Sequence, residues 1–302
     1  STGAGNIALG TGTFIESSGG SGGNIVINAS GTGDITLAAS SYLQTTFGTI
    51  IATASGGAIT LATGSHFTSA VDLTTSSVSL GLVGTAKLLT TTGDIDATAT
   101  GAITLTDSSN ITTTTGTLTT SSESLSLTNT AKLLTTTGAF SATATGAGGV
   151  SLADTSYITT TTGTLAVTSN GVGGVNLNDA SFIKTTTGTL TVDSTSSGDI
   201  ALAGTSIIGG ATEVGDIEIT ASGGGAITLA GSSNIKNTTG ALTVLSSSTG
   251  NITLSDTSYF TTTTGALTVN SSSTGNISLG TGTYIETSNS GNIVINAGTN
   301  SD

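Results

Sequence analysis

Side-chain catalysis needs a base, a nucleophile within its reach, and a group that steadies developing charge. This chain of 302 residues offers one histidine, His66, and four lysines, with no arginine and no cysteine. Its 17 acids scatter as turn residues, and His66 has no carboxylate or serine at a spacing that predicts a partner. No enzyme is expected, and no cofactor or metal.

The acids that come nearest to a ligand set are Asp107, Asp154, Asp179 and Asp256, which share an L-x-D-x-S context. A hard cation wants about six or more converging oxygens. The G-G-x-G-x-D signature of calcium-loaded β-rolls is missing here. Each Asp is therefore expected to cap its own turn by bonding its own backbone.

Threonine is the other repeated chemistry. SYITTTTGTLAV (Ser156 to Val167) returns as SNITTTTGTLTT, SFIKTTTGTLTV and SYFTTTTGALTV. Two outward threonine columns could match a flat lattice such as ice. Aligned on the closing glycine, however, one column mixes Thr with Lys184, Lys236, Leu89 and Glu286, so it faces solvent. The next column, Thr45, Thr90, Thr113, Thr135, Thr160, Thr185 and Thr262 among others, then points inward by strand alternation. Threonine reads mainly as architecture, with ice binding a minor alternative.

A third column carries six of the ten aromatics: Phe14, Tyr42, Tyr157, Phe182, Tyr259 and Tyr284. Its other members include His66, Lys87 and Lys132, so it too faces out. Neighbouring coils should pair these rings. They could stabilise the sheet as a ladder, or meet sugar rings or a neighbouring rod.

What positions these columns is a repeat. The first apolar residue of G-x-I-x-L and its variants falls at Ile7, Ile35, Ile59, Val78, Ile103, Leu125, Val150, Val175, Ile200, Ile227, Ile252 and Ile277, most often 25 residues apart. Each coil holds three short period-two segments, such as Val150/Leu152, Ile158/Thr160 and Leu165/Val167, bounded by Gly, Ser, Asn and Asp. No segment has helical spacing. The expectation is an all-β parallel β-helix (β-solenoid) of about twelve coils, a single domain over residues 1–302 without separate caps. At ~4.8 Å per coil the stack would be roughly 58 Å long. Length should vary at the corner between the third strand and the next first strand, where SSSTG and SNGVGG supply turns.

The first coil (5–29) and the last (275–297) are near-duplicates. GNIALGTGTFIESS and GNISLGTGTYIETS agree at eleven of fourteen positions, and GNIVINA follows in both. An uncapped solenoid end is an open sheet edge. The inward residues Ile7, Leu9, Ile15 and Ile25 at one end, and Ile277, Leu279, Ile285, Ile293 and Ile295 at the other, are therefore candidates for end-to-end assembly. The expected partner is self, in a head-to-tail homopolymer, with lateral packing or surface glycans second.

Net charge is -13, which argues against nucleic acid and anionic membranes. No apolar run reaches the roughly 18 residues that would span a bilayer. Ser1 is not an initiator and no leader precedes the repeats, so a processed chain or a piece of a longer one is expected.

The coil pattern, as in GNITLSDTSYFTTTTGALTV (Gly250 to Val269), resembles the repeats of filamentous-haemagglutinin-like and other giant bacterial surface proteins. That resemblance implies a right-handed β-helix, export, and a role as stalk, adhesin or extracellular fibre. The coil here is longer than the family's, and no secretion domain is recognisable.

Overall fold

The computed structural model describes residues 5–20, 22–210, 212 and 214–298. The described residues form strands and turns and no helix. The chain divides into two compact units, Ser1–Phe140 and Ser141–Asp302. Each is a β-solenoid in which every strand pairs, in parallel and in register, with its counterpart about 25 residues away.

In the first unit the second strands of successive coils are Phe14–Ser17, Tyr42–Thr45, His66–Ser69, Lys87–Thr90, Asn110–Thr113 and Lys132–Thr135. They pair in that order. In the second unit they are Tyr157–Thr160, Phe182–Thr185, Ile207–Gly209, Asn234–Asn237, Tyr259–Thr262 and Tyr284–Thr287. First strands pair likewise with first strands (Val150↔Val175↔Ile200) and third with third (Leu165↔Leu190↔Ile217).

Alternation decides what is buried. Ile, Leu and Val on the inward side stack on their counterparts, and Phe67, Phe140 and Phe260 are the largest side chains wholly removed from solvent. Burying each such side chain is worth about 1.5–3 kcal/mol. One coil cannot cover these residues alone, so stability belongs to the stack.

Among the described residues four third corners have no turn. Ile50–Leu61, Leu73–Leu82, Leu118–Leu127 and Phe140–Leu152 each run from a third strand into the next first strand. Other corners carry turns such as Ser246 to Gly250. This corrects one anchor. Ile59 and Ile103 both register with Leu80, not Val78, which is an exposed residue in the middle of a merged strand. Without a turn to mark the boundary, the G-x-I-x-L pattern slips by two residues.

In many coils a corner carries an inward hydroxyl that occupies a corner carbonyl, although those of Ser109 and Ser206 have none. Before the second strand, the Ser41 and Ser65 hydroxyls donate to the carbonyls of Ala38 and Ala62, both at 2.7 Å. After it, Thr45, Thr90 and Thr135 donate to Gly48, Gly93 and Gly138, each at 2.7 Å. Thr113 and Thr185 reach instead to the glycine of the preceding coil, Gly93 and Gly163. At the third corner Ser194 donates to Gly198 at 2.6 Å. Buried carbonyls left unpaired would each cost about 1–3 kcal/mol, so the threonine-rich phrase satisfies the backbone where the ladder bends.

Thr120 shows the converse. It is buried on the inward side of Leu118–Leu127, and its hydroxyl has no hydrogen-bond partner. The same isosteric change should therefore have opposite signs at two inward threonines. Thr120→Val is expected to stabilise by about 1 kcal/mol and Thr90→Val to destabilise by about as much or more. Chemical denaturation of the two variants measures both shifts, and equal signs would refute the assignment.

Candidate functional site

The turn between first and second strands holds a left-handed residue in coil after coil: Ser40, Asp107, Asn129, Asp154, Asp179 and Asp256 in six coils, and Gly12, Gly64, Gly84, Gly204, Gly231 and Gly282 in six others. Gly, Asn and Asp tolerate that conformation best. Asp154 and Asp179 do lie one coil apart, their strands being in register. Their bonding corrects the expectation of self-capping. The carboxylates accept from the turn amide of the preceding coil: Gly231 N–H donates to Asp256 Oδ2 at 2.9 Å, and Gly84 N–H to Asp107 Oδ2 at 3.2 Å. That turn amide points along the stack, within reach of the next carboxylate. No group of three or more His, Asp or Glu could hold a metal among the described residues.

The aromatic column forms stacked ladders. Phe14, Tyr42 and His66 stack in sequence at ring separations of 4.9 Å, Tyr157 on Phe182 at 4.7 Å, and Tyr259 on Tyr284 at 4.7 Å, all within 6° of parallel. His66, read from sequence as a lone surface residue, extends the first ladder. Its burial, and then the Lys87 charge beside it, lower its pKa against a carbonyl contact that raises it. Within a stack the ring faces are used up. Beside Phe182 the column opens instead into a notch lined by Phe182, Lys184, Ile207, Gly209 and Gly210.

On the outward face of the third strands, Asp193 lies diagonal to Glu218, since Thr191 pairs with Glu218 and Asp193 with Thr220. Partial burial raises the Asp193 pKa first, and the Glu218 charge adds to it.

The end coils differ from the rest in exposure. Interior anchors such as Ile252, Leu254 and Leu267 are completely buried. Their terminal counterparts lose cover on one side: Leu279, Ile293 and Ile295 are 43–48% exposed and Ile15 40%. Ile7, Leu9, Ile277 and Ile285 are half-buried, and Ile25 alone is well covered. Inward-type apolar residues thus face solvent at Gly5 to Ile15 and at Ile277 to Ile295.

Sequence reasoning missed one column because it sits in the variable position of G-x-I. At eight steps among the described residues, an Asn or Asp there offers its side-chain oxygen to the backbone amide at the same place in the next coil. Asn24 accepts from Thr49, Asp94 from Thr117 and Asn251 from Asn276, at 2.7–3.0 Å. The others are Asn6 to Asp34, Asp34 to Ala58, Asp72 to Asp94, Asp199 to Ala226 and Asp216 to Ala241. The amide of the following residue returns a bond, Ile25 N–H to the Thr49 carbonyl at 2.9 Å and Ile252 N–H to the Asn276 carbonyl at 2.9 Å. The pair of bonds clamps each coil to the next in one register. The legible signal was the recurrence of GNI and GDI.

No known family, no curated protein and no solved structure matches the chain. The arrangement common to both units is that of repetitive β-helical proteins.

Proposed function

We propose that this chain is a structural protein, the β-solenoid subunit or super-repeat of an extracellular bacterial filament or sheath, stacking end to end through its matching terminal coils. The observation that carries the reading is the uncovered apolar edge at each end, where Ile7, Leu9 and Ile15 answer Ile277, Leu279 and Ile285 in the same order. An edge of unpaired backbone groups above uncovered Ile and Leu pairs readily with another strand. Here the most complementary partner is the opposite end of another copy.

Low charge, in-register ladders within each unit and corner hydroxyls suit a durable assembly. No helix among the described residues is long and apolar enough to cross a membrane. The resemblance to filamentous-haemagglutinin-like repeats supports a cell-surface or secreted setting. The reading assigns no catalytic role.

Electron microscopy with fibre diffraction tests it. Isolated chain at micromolar concentration should give continuous fibres with a reflection near ~4.8 Å along the axis. Dispersed particles of one chain length would sink the reading.

The notch beside Phe182 favours one alternative, an adhesin stalk that takes carbohydrate through the aromatic column. A half-buried ring with a lysine beside it suits an acidic sugar. Retention on immobilised glycans, lost in Phe182→Ala with Tyr157→Ala, would support that role.

A further inference from the structure

We infer that the end-to-end junction has one polarity and one register, set by Asn276 and Asn292 of one copy clamping Asn6 and Asn24 of the next. The inference rests on the stacking reading and specifies its contacts.

Direction comes from the clamps. In every clamp described, the side-chain oxygen of the earlier coil accepts from the later coil's amide. Asn276 and Asn292 hold the same positions in the last coil, directly before the strands in register with Ile252 to Leu254 and Leu267 to Asn270. Among the described residues no later coil donates to them. Asn6 and Asn24 directly precede the first and third strands of the first coil, where among the described residues no earlier coil meets their amides. The unmet acceptors belong to the last coil and the unmet donors to the first, so contact of a last coil with a first coil joins them. The following amides, Ile277 and Ile293, then donate to the carbonyls of Asn6 and Asn24, repeating the interior geometry.

Outer columns agree with this register. On the third strand's outward face the first unit reads Val26, Ile51, Thr74, Asp96, Thr119, and the second reads Ala166, Thr191, Glu218, Thr243, Thr268, Val294. The large apolar members are those nearest the open ends. Val26 is 63% exposed and Val294 45%. Head-to-tail stacking puts Val294 beside Val26 and Ile51 of the next copy, one covered ridge instead of two bare ones. It also sets Tyr284 against Phe14, joining Tyr259–Tyr284 to Phe14–Tyr42–His66 as one five-ring stack.

One contact opposes the junction. Glu286 pairs with Thr261 and Glu16 with Gln44, so the proposed register sets the two carboxylates directly opposite each other. Like charges so placed repel, and salt screens them. Neutralising them should therefore promote assembly, but only in this register.

The full chain, which lacks cysteine, permits a direct test. In-register parallel neighbours place Cα atoms ~4.8 Å apart, within the span a disulfide accepts. Val26→Cys with Val294→Cys, under oxidised glutathione, should give a ladder of covalent multiples that collapses on reduction. Val26→Cys with Asn296→Cys, two residues out of step, should give none. Glu16→Gln with Glu286→Gln should lower the protein concentration at which fibres appear by about tenfold, and added salt should narrow that difference. Fibres without the in-register ladder, or a ladder from the offset pair, would overturn the register and leave stacking intact. Absence of both fibres and ladders, in variants whose circular dichroism matches the parent, would overturn both.

Discussion

Gly265→Ala is expected to be among the most damaging single changes in the chain, although it adds one methyl group. A Cβ there would fall on the carbonyl oxygen of Gly240, one coil away, deep inside van der Waals contact. The obstacle is backbone held in a ladder, so no side chain can swing aside. The same holds around this corner. A Cβ at Gly240 would meet Gly215, at Gly188 Gly163, and at Gly138 Gly116. Gly265 also presents the carbonyl that the Thr262 hydroxyl occupies, at 2.5 Å, so a shift breaks that bond too. Overpacking typically costs about 1–3 kcal/mol, and this site belongs at or above the upper end. Gly81 is the control. It lies on an outward strand position between Thr60 and Thr104, and a Cβ there would touch nothing within 4 Å. Gly81→Thr should be neutral or stabilising by up to about 1 kcal/mol, since Thr suits a strand better than Gly. Urea midpoints for the two variants decide it, and comparable destabilisation at both would refute the corner account.

The contrast shows which parts of the molecule could be read in the sequence. Strand alternation made the inward threonines legible, because Lys184, Lys236 and Glu286 in the adjacent column fixed which side faced solvent. It made the ring pairs legible for the same reason. The job of each threonine was not legible, because Thr90 and Thr120 are both inward and only one has a carbonyl within reach. Contacts along the stack join residues 20 to 30 apart and depend on how each turn aims its amides. That is why Asp256 could be assigned to a turn but not to the amide of Gly231. The clamp residues were hidden for a related reason. Asn and Asp after Gly suggest a turn in any sequence, and only the neighbouring coil reveals that the side chain points along the stack. Val78 was misplaced because the merged strand Leu73–Leu82 removed the turn that would have marked the boundary.

Phe260→Ala should cost about 3–5 kcal/mol, and Tyr259→Ala, its neighbour in the same strand, about 0.5–1.5 kcal/mol. Both are aromatic members of Tyr259–Thr262 and differ by one step of the pleat. Phe260 points inward, is fully buried, and packs in register between Ile235 and Ile285. Its removal leaves a cavity that ladder-bound neighbours cannot close. Tyr259 points outward and loses its stack on Tyr284 with little else. The functional consequence runs the other way. Ile285 lies in the last coil, so the Phe260 cavity loosens the platform on which a further coil would stack, and fibre formation should fail along with stability. Loss of Tyr259 leaves the platform intact and shortens the ring ladder behind it, so fibres should persist with a higher threshold concentration. Denaturation curves paired with fibre counts for the two variants separate these effects. A Tyr259→Ala chain that matched the parent in stability yet formed no fibres would instead make the outer ladder, not the apolar edge, the principal contact in assembly.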